Sequence, residues 1–79
     1  MSTTRRTTAA RIDLNAIGRR IRQIRGNELS QADLGRILGI GQGAVSVYER
    51  GKSPPSLEVV VRLRDHSGKS IDWIITGEN

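Results

Sequence analysis

Seventy-nine residues without a cysteine leave room for one small domain that must hold together by packing alone, because so short a chain buries only about 60% of its unfolded surface. No thiolate is available and His66 is the single histidine, so neither a metal nor a cofactor is expected and a reducing, cytoplasmic setting is the natural assumption. The formal charge of +5 and a pI near 11.1 point instead to a polyanionic partner.

The basic character is local. Residues 1–25 carry Arg5, Arg6, Arg11, Arg19, Arg20, Arg22 and Arg25 against Asp13 alone, whereas beyond residue 25 acids and bases roughly balance. Eleven of the thirteen bases are arginine, whose planar fork suits phosphate better than a lysine point charge. Residues 1–12 are expected to form a flexible basic arm. They lack the apolar stretch of a secretory signal, and no run in the chain reaches the roughly 18 apolar residues of a membrane span.

From residue 13 to residue 79 the pattern is helical. Leu14, Ile17, Ile21 and Ile24 recur at steps of three and four, with Asp13 as cap and Gly26-Asn27 as stop; Arg19, Arg20 and Arg22 then make a basic outer face. Ser30 and Asp33 form a carboxylate variant of the capping box ahead of Leu34 and Leu38, and Gly39 ends that second helix. Only Ile40 and Gly41 precede a third helix, Gln42 to Arg50, closed by Gly51. Lys52-Ser53-Pro54-Pro55 must be extended, since proline lacks a donor and restricts its predecessor. Ser56 caps a fourth helix, with Leu57, Val60, Val61 and Leu63 expected inside. Ser70 caps a fifth, Ile71 to Thr76, in which Trp73 and one of Ile74 and Ile75 belong to the core. The other isoleucine, with Ile37, is a candidate partner surface. Val59 to Val61 would suit a strand, but no second alternating segment offers a partner.

Three constellations invite chemistry. Gly39-Ile40-Gly41-Gln42-Gly43-Ala44 fits G-x-G-x-x-G/A, but a dinucleotide site needs a strand ahead of it, and Leu34 to Leu38 is helical. Asp65-His66-Ser67 makes no triad, because neighbouring helical residues point in different directions. The third fits better. Two helices joined by a turn of three to four residues, the first ending in glycine, form a helix-turn-helix. Gly35 faces the neighbouring helix, Gly39 makes the turn, and Val45 and Tyr48 anchor the second helix. Its outer face is Gln42, Gly43, Ser46, Val47 and Arg50, mostly short side chains that let the backbone approach a groove.

Several motifs occur in register: Ile21-Arg22-Gln23-Ile24-Arg25, Leu29-Ser30-Gln31, Leu34-Gly35, Leu38-Gly39-Ile40, Val45-Ser46, Tyr48 to Lys52, Pro55-Ser56-Leu57 and Ser70 to Glu78. Through them the chain resembles the phage-repressor family of helix-turn-helix proteins, of the Xre-like or Cro/repressor-like type, over about Ile17 to Glu78. The resemblance implies an all-α, five-helix lambda-repressor-like domain that binds double-stranded DNA as a bacterial or phage transcriptional repressor, commonly as a homodimer through the C-terminal helix. It implies base contacts from Gln42, Gly43, Ser46 and Val47, phosphate contacts from Gln31, Arg50, Lys52 and Ser53, and a structural Arg25–Glu49 salt bridge. Arg5, Arg6 and Arg11 are possible arm contacts. An antitoxin that also binds DNA, or a protein-interaction module with no DNA target, are the alternatives; no enzymatic activity and no small-molecule ligand are expected. The chain departs from the family in a short turn at Gly26 to Leu29, in Gly35 and Gly43, and in the polar Arg64, Ser67 and Lys69.

Overall fold

The computed structural model describes residues 12–78, and the arm arginines Arg5, Arg6 and Arg11 lie outside these described residues. Five α-helices follow one another: α1 (Leu14–Arg25), α2 (Gln31–Leu38), α3 (Gln42–Glu49), α4 (Leu57–Ser67) and α5 (Ile71–Thr76). No strand occurs among the described residues.

Four of the five helix starts are set by side chains that satisfy otherwise orphaned N–H groups, while α3 starts at Gly41 without one. Asp13 accepts from the backbone of Asn15 and Ala16, Ser56 from Val59, and Ser70 from Trp73. At α2 the capping box is complete: the Asp33 N–H donates to the Ser30 hydroxyl, and the Ser30 N–H donates to the Asp33 carboxylate, each at 3.0 Å. That reciprocal bond, led by the Ser30 N–H and then its hydroxyl, holds the Asp33 carboxyl below its ordinary value. At the end of α2, Gly39 takes the left-handed conformation (φ 74°, ψ 29°), which turns the chain sharply enough for Ile40 to donate back to the Gly35 carbonyl at 2.8 Å.

The core gathers one stripe from each helix: Ile17 and Ile21, Leu34 and Leu38, Val45, Val59 with Val60 and Leu63, and Ile74. Each such side chain contributes roughly 1.5–3 kcal/mol when withdrawn from water. Leu14, Ile24, Ile40, Tyr48, Trp73 and Ile75 close its edges.

Three expectations need correction. Leu57 is 86% exposed and Val61 is 37% exposed, while Val59, not among the residues expected inside, is buried. At 100° per residue, positions 59, 60 and 63 fall within a 100° arc that excludes Leu57 and Val61. Arg20 does not belong to the basic outer face: its Nη1 donates to the carbonyl oxygens of Ile74 and Ile75 at 3.1 and 3.2 Å, satisfying the C-terminal end of α5. Arg19 and Arg22 do remain exposed. Finally, Gly35 faces the turn rather than the neighbouring helix, since a Cβ there would lie 2.7 Å from the Ile40 carbonyl oxygen.

The polar residues that depart from the family pattern near α4 and α5 all have local partners. Arg64 pairs with Asp65 at 2.9 Å, the Ser67 hydroxyl donates to the Leu63 carbonyl at 2.7 Å, and the Lys69 ammonium lies 4.9 Å from the Trp73 ring centre. In the short turn after α1, Arg25 Nη1 donates to the Leu29 carbonyl at 3.0 Å and bridges it.

Candidate nucleic-acid interface

The position of α3 follows from its inward residues. Val45 is fully buried and Tyr48 rests on the core, which fixes the roll of the helix. Its far end is seated on α1 by backbone contact: a Cβ on Gly18 would fall 2.5 Å from the Glu49 carbonyl oxygen and 2.6 Å from that of Tyr48. Gly51, at φ 72°, presses against the Asn15 side chain in the same crossing. With the inward side thus committed, Gln42, Gly43 and Arg50 are exposed, and Ser46 and Val47 half-buried, on the outer side.

A polar relay ties this outer face to the interior. Arg25 holds Glu49 through two bonds, Nε to Oε2 at 2.7 Å and Nη2 to Oε1 at 3.1 Å, with the Glu49 side chain only 4% exposed. The Glu49 bond keeps the Arg25 guanidinium even more firmly protonated than usual. Gln31 Nε2 donates to Glu49 Oε1 at 3.0 Å, and Gln42 Nε2 donates to Gln31 Oε1 at 2.9 Å. The orientation of each amide is therefore dictated by its predecessor. Gln42 is left with its carbonyl oxygen and one amide hydrogen free, one acceptor and one donor side by side, which is the pattern that adenine N6 and N7 complement in the major groove.

Gln31, Arg50 and Lys52 contact residues of this face at its edges, and half-buried Ser53 follows Lys52 in the loop after α3. Gln31 opens α2, whose positive end favours an anion. Arg50 Nε reaches one turn back to the Ser46 hydroxyl at 3.2 Å, a contact readable from i, i+4 spacing. Lys52 is exposed, and its backbone donates to the Val47 carbonyl at 3.1 Å. The Gln31–Gln42 bond, by contrast, joins two helices and has no local sequence signal. Arg19, Arg22, Gln23, Arg25 and Asn27 line an open basic depression along α1 and the turn after it.

Other candidate chemistry is dispersed. Asp65 is taken by Arg64, Ser67 donates to its own helix, and the glycine run follows a helix rather than a strand. Among the described residues no cluster of three metal-ligating side chains occurs, and no helix is long and apolar enough to cross a membrane.

A family model described as Helix-turn-helix matches residues 19–74, which span α2, the turn and α3 together with most of the rest of the fold. The chain belongs to the helix-turn-helix family. Among solved structures, this helix-turn-helix chain is similar to the P22 c2 repressor protein in complex with synthetic operator 9T, at 32% identity and a TM-score of 0.72 over 78% of this chain and 96% of that one. It is also similar to the restriction-modification controller protein C.AhdI from Aeromonas hydrophila, at 28% identity and a TM-score of 0.69 over 80% and 97%. No curated protein sequence matches the chain.

Proposed function

We propose that this protein is a sequence-specific double-stranded-DNA-binding transcriptional regulator that acts as a repressor, with α3 lying in the major groove. The observation that carries the reading is the relay from Arg25 to Gln42, which presents a pre-oriented donor–acceptor pair on an exposed helix start. Membership of the helix-turn-helix family, together with similarity to a repressor solved on an operator, supports it.

In this reading Gln42 reads a base edge, Ser46 and Val47 contact neighbouring bases, and Gly43 faces the groove without a side chain. Gln31, Arg50, Lys52 and Ser53 hold the phosphates on either side, and Arg5, Arg6 and Arg11 extend the contact from an arm spanning residues 1–12. Residues 13–79 form the binding domain. One helix-turn-helix spans only a few base pairs, so the chain works as a homodimer on half-sites about 34 Å apart, in the cytoplasm.

Selection of bound sequences from a random duplex library, followed by sizing of the complex, tests this. A two-fold-related pair of short half-sites is expected. Gln42→Ala should cost about 1–3 kcal/mol at one base position, whereas Arg50→Ala should weaken every sequence alike and reduce the salt slope by about 1. Failure to enrich any sequence would overturn the proposal.

A further inference from the structure

The chain has nine glycines, and the fold accounts for eight of them. Gly26, Gly39, Gly51, Gly68 and Gly77 sit at positive φ, where side chains are strained. Gly18 and Gly35 are crowded by carbonyl oxygens 2.5 and 2.7 Å from where a Cβ would stand. Gly41 is the N-cap of α3, a position glycine fills readily. Gly43 alone is left over. It is the second residue of α3, φ there is not positive, it is exposed, and among the described residues a Cβ on it would meet nothing within 4 Å. Glycine is the weaker helix former there, by up to about fivefold in the folding equilibrium relative to alanine. The fold thus bears a cost at Gly43 that no contact among the described residues explains.

A second observation lies beside it. The Gln42 amide is tied back to Gln31 at 2.9 Å, so this side chain lies against α2 rather than stretching outward. A glutamine held close to its helix reaches a partner only if the helix itself comes close. We propose that Gly43 is a clearance residue that sets specificity: its bare backbone lets the first turn of α3 seat against the base edges deeply enough for the tethered Gln42 to read them. A side chain at 43 is accepted by the fold and rejected by the cognate duplex.

This inference rests on the DNA-reading role of the same face, and the experiment separates the two. The wild-type chain first selects a duplex from a random library. Gly43→Ala and Gly43→Leu are then measured for thermal midpoint and for affinity towards that duplex and a scrambled duplex of equal length. The alanine variant should melt about 3–6 °C higher. Its affinity for the selected duplex should fall at least ~tenfold, and that of the leucine variant further, while binding to the scrambled duplex changes by less than about twofold. Retention of affinity for the selected duplex by Gly43→Ala would overturn the proposal, as would a midpoint below that of the wild type, which would show that the fold needs the glycine. If the wild type selects no duplex at all, the DNA-reading role fails first, and this inference with it.

Discussion

The side-chain amide of Gln42 donates to Oε1 of Gln31 at 2.9 Å, so the first residue of α3 takes its orientation from the first residue of α2. Because Gln31 is itself held by Glu49 at 3.0 Å, the pair is prearranged before any partner arrives. In the proposed reading, replacing Gln31 by alanine should therefore relax discrimination at the base pair assigned to Gln42 by about 1 kcal/mol, on top of a uniform loss from its own phosphate contact. Anisotropy titrations on duplexes varied one base pair at a time check this. An equal loss on all duplexes would reduce Gln31 to a phosphate contact.

The Arg25–Glu49 pair underlies the same relay from within. Glu49→Ala removes the acceptor of three bonds, leaving the Arg25 guanidinium, whose side chain is only 16% exposed, without its ion partner. A loss of about 2–3 kcal/mol in urea unfolding is expected, larger than for an exposed pair such as Arg62–Glu58.

Gly18 is the tightest backbone-to-backbone contact of the α1–α3 crossing. Gly18→Ala would force a methyl against the Glu49 and Tyr48 carbonyls, so it should destabilise the fold by roughly 2–3 kcal/mol despite alanine's better helix propensity. Leu57→Ser, on the exposed far side of α4, should change stability by less than about 0.5 kcal/mol. Thermal denaturation of the two variants side by side gives the comparison.

Much of this architecture was legible in the sequence. Asp13, Ser30, Ser56 and Ser70 mark helix starts because caps are local chemistry, and Gly39 and Gly77 mark ends for the same reason. The stripe of α1 could be read because its apolar residues sit in a polar background. In α4 it could not: Leu57, Val59, Val60, Val61 and Leu63 offer two overlapping faces, and only packing against α1, α2 and α5 selects Val59 over Leu57. On the candidate interface, the outward residues of α3 follow from periodicity and the Arg25–Glu49 pair from family resemblance. The Gln31–Gln42 bond and the Arg20 cap join groups 11 and 54 residues apart, and neither has a signature shorter than the fold itself.

Arg20 closes α5 by donating to two of its last carbonyls, and Gly77 sits directly against its guanidinium. Arg20→Met, which keeps the stem but not the donors, should cost about 1–2 kcal/mol and raise amide exchange in α5 before the rest of the domain opens. Hydrogen exchange resolved by residue distinguishes this from uniform destabilisation.

Asp33 brings a pH dependence. Its carboxyl is held below the ordinary value of about 3.9 by the Ser30 N–H and hydroxyl, so the stabilisation is fully present above that value and is lost as pH falls through the lowered one. Asp33→Asn should flatten that acid limb of the stability curve, which equilibrium unfolding between pH 5 and pH 2, as approximate limits, would reveal.

The crossing of α1 and α3 is made backbone to backbone at Gly18, and the roll of α3 is fixed by Val45 and Tyr48. None of these is an outward-facing residue. Under the proposed DNA-reading role, the letters a descendant of this protein recognises can consequently be rewritten at positions 42, 43, 46 and 47 while its scaffold stays untouched, so new addresses and continued foldability are inherited separately.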